Sequence, residues 1–149
     1  MKSPFRVVCM SVMIAANGLL SACLQSTEPQ NSLLQLNGTW YYTGVQTGPV
    51  RETLTGTLTI SRESGTSFQG RLDLFAVNAQ SGQNRVLGGL VSGAETATSV
   101  IDFDADLLEP NPRRHVGQIV ADPITGTWIG SSPDGTTSSG TFRVERETR

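Results

Sequence analysis

Three aspartates stand at alternate positions in the run IDFDAD: Asp102, Asp104 and Asp106. In an extended strand they share one face. Hard oxygen ligands suit Ca²⁺, so this run is the first place to look for metal chemistry. The spacing does not fit an EF-hand loop, which needs Gly at its sixth position and Glu at its twelfth. Leu107 and Arg113 occupy those places. The plainer expectation is a solvated strand face, its charge offset by Arg113 or Arg114 on the next strand, and no metal is assigned. His115 is the only histidine. An imidazole can act as a general base, but nothing in the sequence sets a nucleophile or acid beside it, so a surface or rim position is expected. Neither G-x-S-x-G nor H-E-x-x-H occurs. The chain is expected to be non-catalytic, with no cofactor.

Two cysteines complete the reactive inventory, Cys9 and Cys23. The first six residues, MKSPFR, carry Lys2 and Arg6 and no acid, and Val7 to Leu20 is apolar apart from Ser11, Asn17 and Gly18. A basic start followed by an apolar run of this length reads as a signal peptide, too short to span a bilayer comfortably. The run ends in LSAC, Leu20-Ser21-Ala22-Cys23. This resembles the lipobox of bacterial lipoproteins: a branched aliphatic, two small residues and a cysteine. The resemblance implies cleavage before Cys23 and acylation of its thiol and new N-terminus. Residues 1–22 are then the signal peptide, and membrane lipid is a partner through Cys23. Leu rather than Asp at position 24 favours, by the same resemblance, the outer membrane of a two-membrane cell envelope over the inner one. More than one acyl chain, each supplying about 0.8 kcal/mol per buried CH₂, makes such an anchor stable.

Residues 23–34, including the polar stretch LQSTEPQNS, read as a flexible tether. Residues 35–149 are expected to form one domain. With Cys23 acylated this part has no thiol or disulfide, so it must stand on its apolar core. Without Lys2 and Arg6 the formal balance moves from −2 to −4, and Lys2 is the sole lysine. A mildly acidic domain without basic clusters argues against nucleic acid as a partner.

The elements that would position any chemistry are short runs rich in Thr, Val, Ile and aromatics, separated by Gly, Pro, Asn, Asp and Ser. That is the all-β pattern. Eight strands are predicted: Leu36–Val45, Glu52–Ser61, Ser67–Val77, Asn84–Ser92, Thr98–Asp104, Arg113–Ala121, Ile124–Ser131 and Ser138–Glu145. RESGTS, NAQSGQ and SPDG supply the residues of tight reversals, and short links favour antiparallel neighbours.

A pattern apolar-x-Gly-x-apolar recurs in Leu36-Gly38-Trp40, Leu54-Gly56-Leu58, Phe68-Gly70-Leu72, Val86-Gly88-Leu90 and Ile124-Gly126-Trp128, with weaker echoes at Gly117-Ile119 and Gly140-Phe142-Val144. Residues i, i+2 and i+4 share a face, so these glycines are expected on the dry side. Thr53, Thr55, Thr57 and Thr59 mark the wet side. Small residues on the inner face permit sharp coiling and leave room for large neighbours. The expected fold is an eight-stranded antiparallel up-and-down β-barrel, with a two-sheet sandwich as the alternative.

GTWY at Gly38–Tyr41 is similar to the G-x-W signature that opens the first strand of calycins, the lipocalin and avidin-like barrels. The resemblance implies that Trp40 plugs one end of the barrel. No biotin-binding constellation is placed, so avidin-type specificity is not carried over. Trp40, Tyr42, Phe103, Trp128 and Phe142, with Phe68, fall on the expected inner faces. Two uses are open to them: lining a cavity for a small apolar ligand, or filling the barrel. The first points to a ligand carrier. The second points to an interaction or structural module that meets another envelope protein through its outer face.

Overall fold

The computed structural model describes residues 35–97, 99–119 and 122–147. The signal-peptide and tether readings, Cys23 included, lie outside the described residues. Eight strands follow in order: β1 (Gly38–Gly48), β2 (Glu52–Ser64), β3 (Ser67–Asn78), β4 (Asn84–Ala97), β5 (Val100–Asp106), β6 (Arg113–Gln118), β7 (Ile124–Ser131) and β8 (Thr137–Arg146). Each pairs antiparallel with the next, and β1 pairs with β8, so the sheet closes into a barrel. Register shifts between Gln46 and Gly48, Ile60 and Arg62, and Glu95 and Ala97 interrupt the ladders. Such irregularities let a sheet coil enough to close.

The strands run up and down, so the barrel has two distinct ends. The chain enters at the near end through Gln35–Asn37. The far end is covered by the links at residues 49–51, 79–83, 107–112 and 132–136. The alternation of wet and dry residues is clean on β3, from buried Phe68 to buried Ala76. Apolar burial on one face of each strand is the dominant stabilising term.

The inward glycines explain how the core is filled. A Cβ on Gly140 would lie 2.8 Å from the Trp128 ring, one on Gly93 2.3 Å from Phe103 Cβ, and one on Gly126 2.7 Å from Phe142. The Trp128 and Phe142 rings lie across a neighbouring strand where no side chain obstructs them, and Gly93 makes room for the root of Phe103. Gly44 plays the same part beside Tyr42, with 3.0 Å to its ring.

Two glycine assignments are corrected. Gly88 faces outward. Gly88 pairs with the exposed Asp73, and Gly89 with the buried Leu72. The inward set of β4 is therefore Leu87, Gly89 and Val91, which leaves Val86 79% and Leu90 71% exposed. The string RVLGGLVSG is apolar in both phases, and only pairing with β3 selects one. Gly38 is exposed, with φ of +126°. It serves the chain's entry into β1, in a conformation that side chains disfavour.

Gly140→Ala would bring its methyl to 2.0 Å from the Val45 carbonyl oxygen as well as onto Trp128. Urea unfolding is expected to show a loss of about 1–3 kcal/mol. Thr141→Ala on the exposed face next door should fall within about 0.5 kcal/mol of the parent.

Candidate functional site

Strand β6 carries the largest departure from the sequence reading. Its burial alternates from Arg113 through His115 to Gly117, all inward. His115 is buried, not on the surface or rim, and Arg113 does not offset the aspartates. That task falls to Arg114, whose guanidinium holds Asp102 at 3.0 and 2.5 Å on the wet face. The hydrogen bond from Arg114 keeps the Asp102 carboxyl below its usual range. Asp104 and Asp106 point to solvent. The signal for β6 was present: if Gly117 and Ile119 face inward, period two places His115 and Arg113 inward too.

The middle of the barrel is an aromatic layer around His115. Its ring stacks on Phe103 at 4.5 Å between centroids and meets Phe142 edge-on at 5.1 Å. Tyr42 stacks on Phe142 at 6.0 Å, and Trp128 lies 6.3 Å from His115. The Arg113 carbonyl oxygen, which can only accept, sits 3.0 Å from His115 Nδ1. Nδ1 therefore carries the proton and Nε2 accepts from the Tyr42 hydroxyl at 3.2 Å. Burial pushes the His115 pKa down to about 3, against a weaker upward pull from the Arg113 carbonyl. Burial likewise pushes the Tyr42 hydroxyl well above its ordinary value. Both stay neutral and serve as packing groups whose polar atoms are hydrogen-bonded, Tyr42 through its hydroxyl and His115 through both ring nitrogens.

Trp40, Tyr42, Phe103, Trp128 and Phe142 are each at most 3% exposed. Tyr42, Phe103 and Phe142 form one mutually packed layer. Trp40 sits at the near end, with the Arg146 guanidinium 4.4 Å over its ring. Its indole N–H donates to the Leu36 carbonyl at 2.8 Å. Trp128 alone reaches from the aromatic layer to the far end.

The far end is polar inside. Glu109, from the link between β5 and β6, takes Arg113 in a two-point grip at 2.7 and 2.9 Å. The same carboxylate accepts from Arg85 at 2.9 Å, and Arg85 also grips Glu52 at 3.1 and 2.8 Å. Burial pulls the Arg85 pKa down, but its bonds to the two glutamates outweigh that and hold it above the ordinary value. The Arg113 guanidinium lies 4.3 Å over the Trp128 ring, a cation–π arrangement. Four buried groups here have no partner among the described residues: Arg113 Nη1, Trp128 Nε1, and the hydroxyls of Ser132 and Ser138. Strand register gathers them, since Gly130 faces Ser138 and Gly140 faces both Trp128 and Gln46. A Cβ on Gly130 would touch Arg113 at 2.8 Å. Sequence reasoning misses this cluster because Glu109 comes from a loop and arginine in a strand is read as facing water.

No protein-family model matches the sequence. No curated protein matches it. Solved structures do resemble it in fold. EF1p2_mFAP2b, solved bound to DFHBI, superposes with a TM-score of 0.61 at 14% identity, covering 75% of this chain and 94% of that one. A fluorescence-activating β-barrel designed de novo gives 0.54 at 19% identity, covering 74% and 93%. The S-type phycobiliprotein lyase CPES of Guillardia theta gives 0.50 at 6% identity, covering 76% and 89%. The chain is thus an eight-stranded antiparallel barrel resembling fluorescence-activating barrels. At these identities the likeness is one of fold.

Two measurements test this site. His115 has a folded pKa below its unfolded value of 6.5. Between about pH 3 and 6.5 the unfolded chain therefore binds a proton that the folded chain refuses. Its contribution to stability is complete above pH 6.5 and is lost as pH falls, by at most about 1.4 kcal/mol per pH unit. His115→Phe should flatten the pH dependence of unfolding in that window, and an unchanged slope would refute a buried neutral imidazole. Glu109→Ala removes the carboxylate between two arginines and should cost about 3–5 kcal/mol. Asp102→Ala breaks an exposed pair and should cost no more than about 1 kcal/mol.

Proposed function

We propose that this chain is a lipid-anchored, non-catalytic barrel of the cell envelope that binds a small ligand at the far end of its barrel. The observation that carries the ligand reading is the set of buried donors without partners beside Trp128. Four of the five buried side-chain polar atoms without a partner among the described residues lie at this end, and each orphan donor costs about 1–3 kcal/mol. A bound molecule that supplies acceptors recovers that cost. Its apolar part would lie against Trp128, with Phe103, Phe142 and Tyr42 as the wall behind and Trp40 closing the opposite end. Similar barrels, EF1p2_mFAP2b and mFAP1, are solved bound to DFHBI, which supports the reading at the level of fold. The anchor rests on LSAC and the apolar run before it, with Cys23 as the acylated residue and the outer membrane as the favoured site. Nucleic acid is not among the proposed partners.

A second reading has an observation of its own. Phe75, Val86, Leu90 and Leu108 are 43%, 79%, 71% and 87% exposed on the outside. Exposed apolar groups mark protein contacts when they adjoin, and Phe75 and Val86 are cross-strand partners. This favours an envelope interaction module with a filled core.

Tryptophan fluorescence titrated with a broad panel of small molecules separates the two. A saturable change supports ligand binding, and a flat response across the panel leaves the interaction module. Cys23→Ser is expected to move the protein from the membrane to the soluble fraction. Unchanged partitioning would overturn the anchor.

A further inference from the structure

The two ends of the barrel pose the same pair of side chains in two different states. At each end an arginine lies over a tryptophan ring, at 4.4 Å for Arg146 on Trp40 and 4.3 Å for Arg113 on Trp128. At the near end the donors are satisfied by the chain itself. The Trp40 indole N–H donates to the Leu36 carbonyl, Arg146 Nη1 to the Asn37 carbonyl at 3.1 Å, and Arg146 Nη2 to the Gln35 carbonyl. Three backbone oxygens of the incoming segment thus serve that end. At the far end Trp128 Nε1 and Arg113 Nη1 have no acceptor among the described residues, although both residues are at most 2% exposed.

We propose, resting on the small-ligand reading above, that the far end is a binding site for an uncharged molecule presenting a carbonyl-type oxygen, such as a lactone, ester or amide. Indole and guanidinium N–H groups only donate, so the missing partner must accept. The hydroxyls of Ser132 and Ser138 also lack partners among the described residues and can donate as well. Charge decides between a carboxylate and a neutral oxygen. Arg85 and Arg113 are already matched by Glu52 and Glu109. A further anion would bring in an unpaired buried charge, which is strongly unfavourable. A carbonyl oxygen accepts two hydrogen bonds and leaves the balance at zero. It would stand at the far end where the Leu36 carbonyl stands at the near end.

Trp40 and Trp128 are the only tryptophans, so the full chain labelled with ¹⁵N gives two indole N–H signals, one probing the site and one serving as internal reference. The probes are γ-butyrolactone and δ-valerolactam as neutral carbonyls, acetate and butyrate as anions, and cyclopentane as a purely apolar shape. The expected result is a saturable downfield shift of the Trp128 signal with the lactone or lactam and no shift at Trp40. Ser138→Ala should weaken that binding by about fivefold, the worth of one hydrogen bond. A shift with acetate or butyrate but not with the neutral carbonyls overturns the ligand class while leaving the small-ligand reading standing. An equal response to cyclopentane overturns the role of the donors. No response to any probe, together with a long-lived water seen by cross-relaxation to the Trp128 N–H, overturns both: the orphan donors then serve only an internal water.

Discussion

The barrel depends on one steric constraint: the largest rings of its middle and far end need strand positions beside them that have no side chain. Trp128 lies across Gly140 and Phe142 across Gly117 and Gly126, while the root of Phe103 abuts Gly93 and the Tyr42 ring lies beside Gly44. Eight strands leave an interior just wide enough for side chains or one small ligand, and rings of this size cannot all point inward from fully substituted walls. Glycine costs about 0.5–1 kcal/mol in a strand interior. Burying an aromatic side chain that would otherwise have no room returns more than that. The paired substitution pattern, ring on one strand and glycine on the next, is what allows the sheet to curl shut and the core to reach normal density.

The same constraint explains why the interior is not uniform. In the middle, the polar atoms of Tyr42 and His115 are matched to each other and to the Arg113 carbonyl. A low-dielectric layer tolerates them because both are held neutral. Towards the far end Gly130 replaces a ring-bearing position, and the space over it is taken by the stem of Arg113. A guanidinium this deep must be gripped, and Glu109 reaches in from a loop to do so while also holding Arg85. The ion-paired layer and the aromatic layer meet at Trp128, which stacks under Arg113 on one side and approaches His115 on the other.

Much of this was legible in the residues. The eight strands, their order and most of their bounds follow from turn chemistry and period-two patterning. The inward set Leu54-Gly56-Leu58 and the outward threonines needed nothing else. Where apolar residues occupy both phases, as in Val86 to Val91, composition carries no information on facing, and only the register with β3 does. Where period two and residue type disagreed, as in β6, residue type was the poorer guide. Arg113 and His115 point inward because Gly117 does. The partners that make this tolerable, Glu109 from a loop and Gln46 from β1, whose Oε1 lies 3.5 Å from Arg113 Nη2, are brought to β6 by closure of the barrel, and no local pattern encodes that proximity.

The near end shows what a finished version of the Arg–Trp motif requires. There the chain supplies carbonyls from Gln35, Leu36 and Asn37 just before β1 begins. Those residues are irregular, and their carbonyls are free to turn inward because no strand ladder claims them. At the far end several carbonyls of the covering links already accept from the chain's own donors. The turn at Ser132–Thr136 closes on itself through Ser132 N–H to the Thr136 carbonyl and Gly135 N–H to the Ser132 carbonyl, and the Val50 carbonyl accepts from Gln46. A fold that satisfies this motif with backbone at one end spends the covering turn's backbone on itself at the other, so Trp128 Nε1 and Arg113 Nη1 have no such acceptor among the described residues. The difference lies in where the loops put their oxygens, since the stacked side chains are the same.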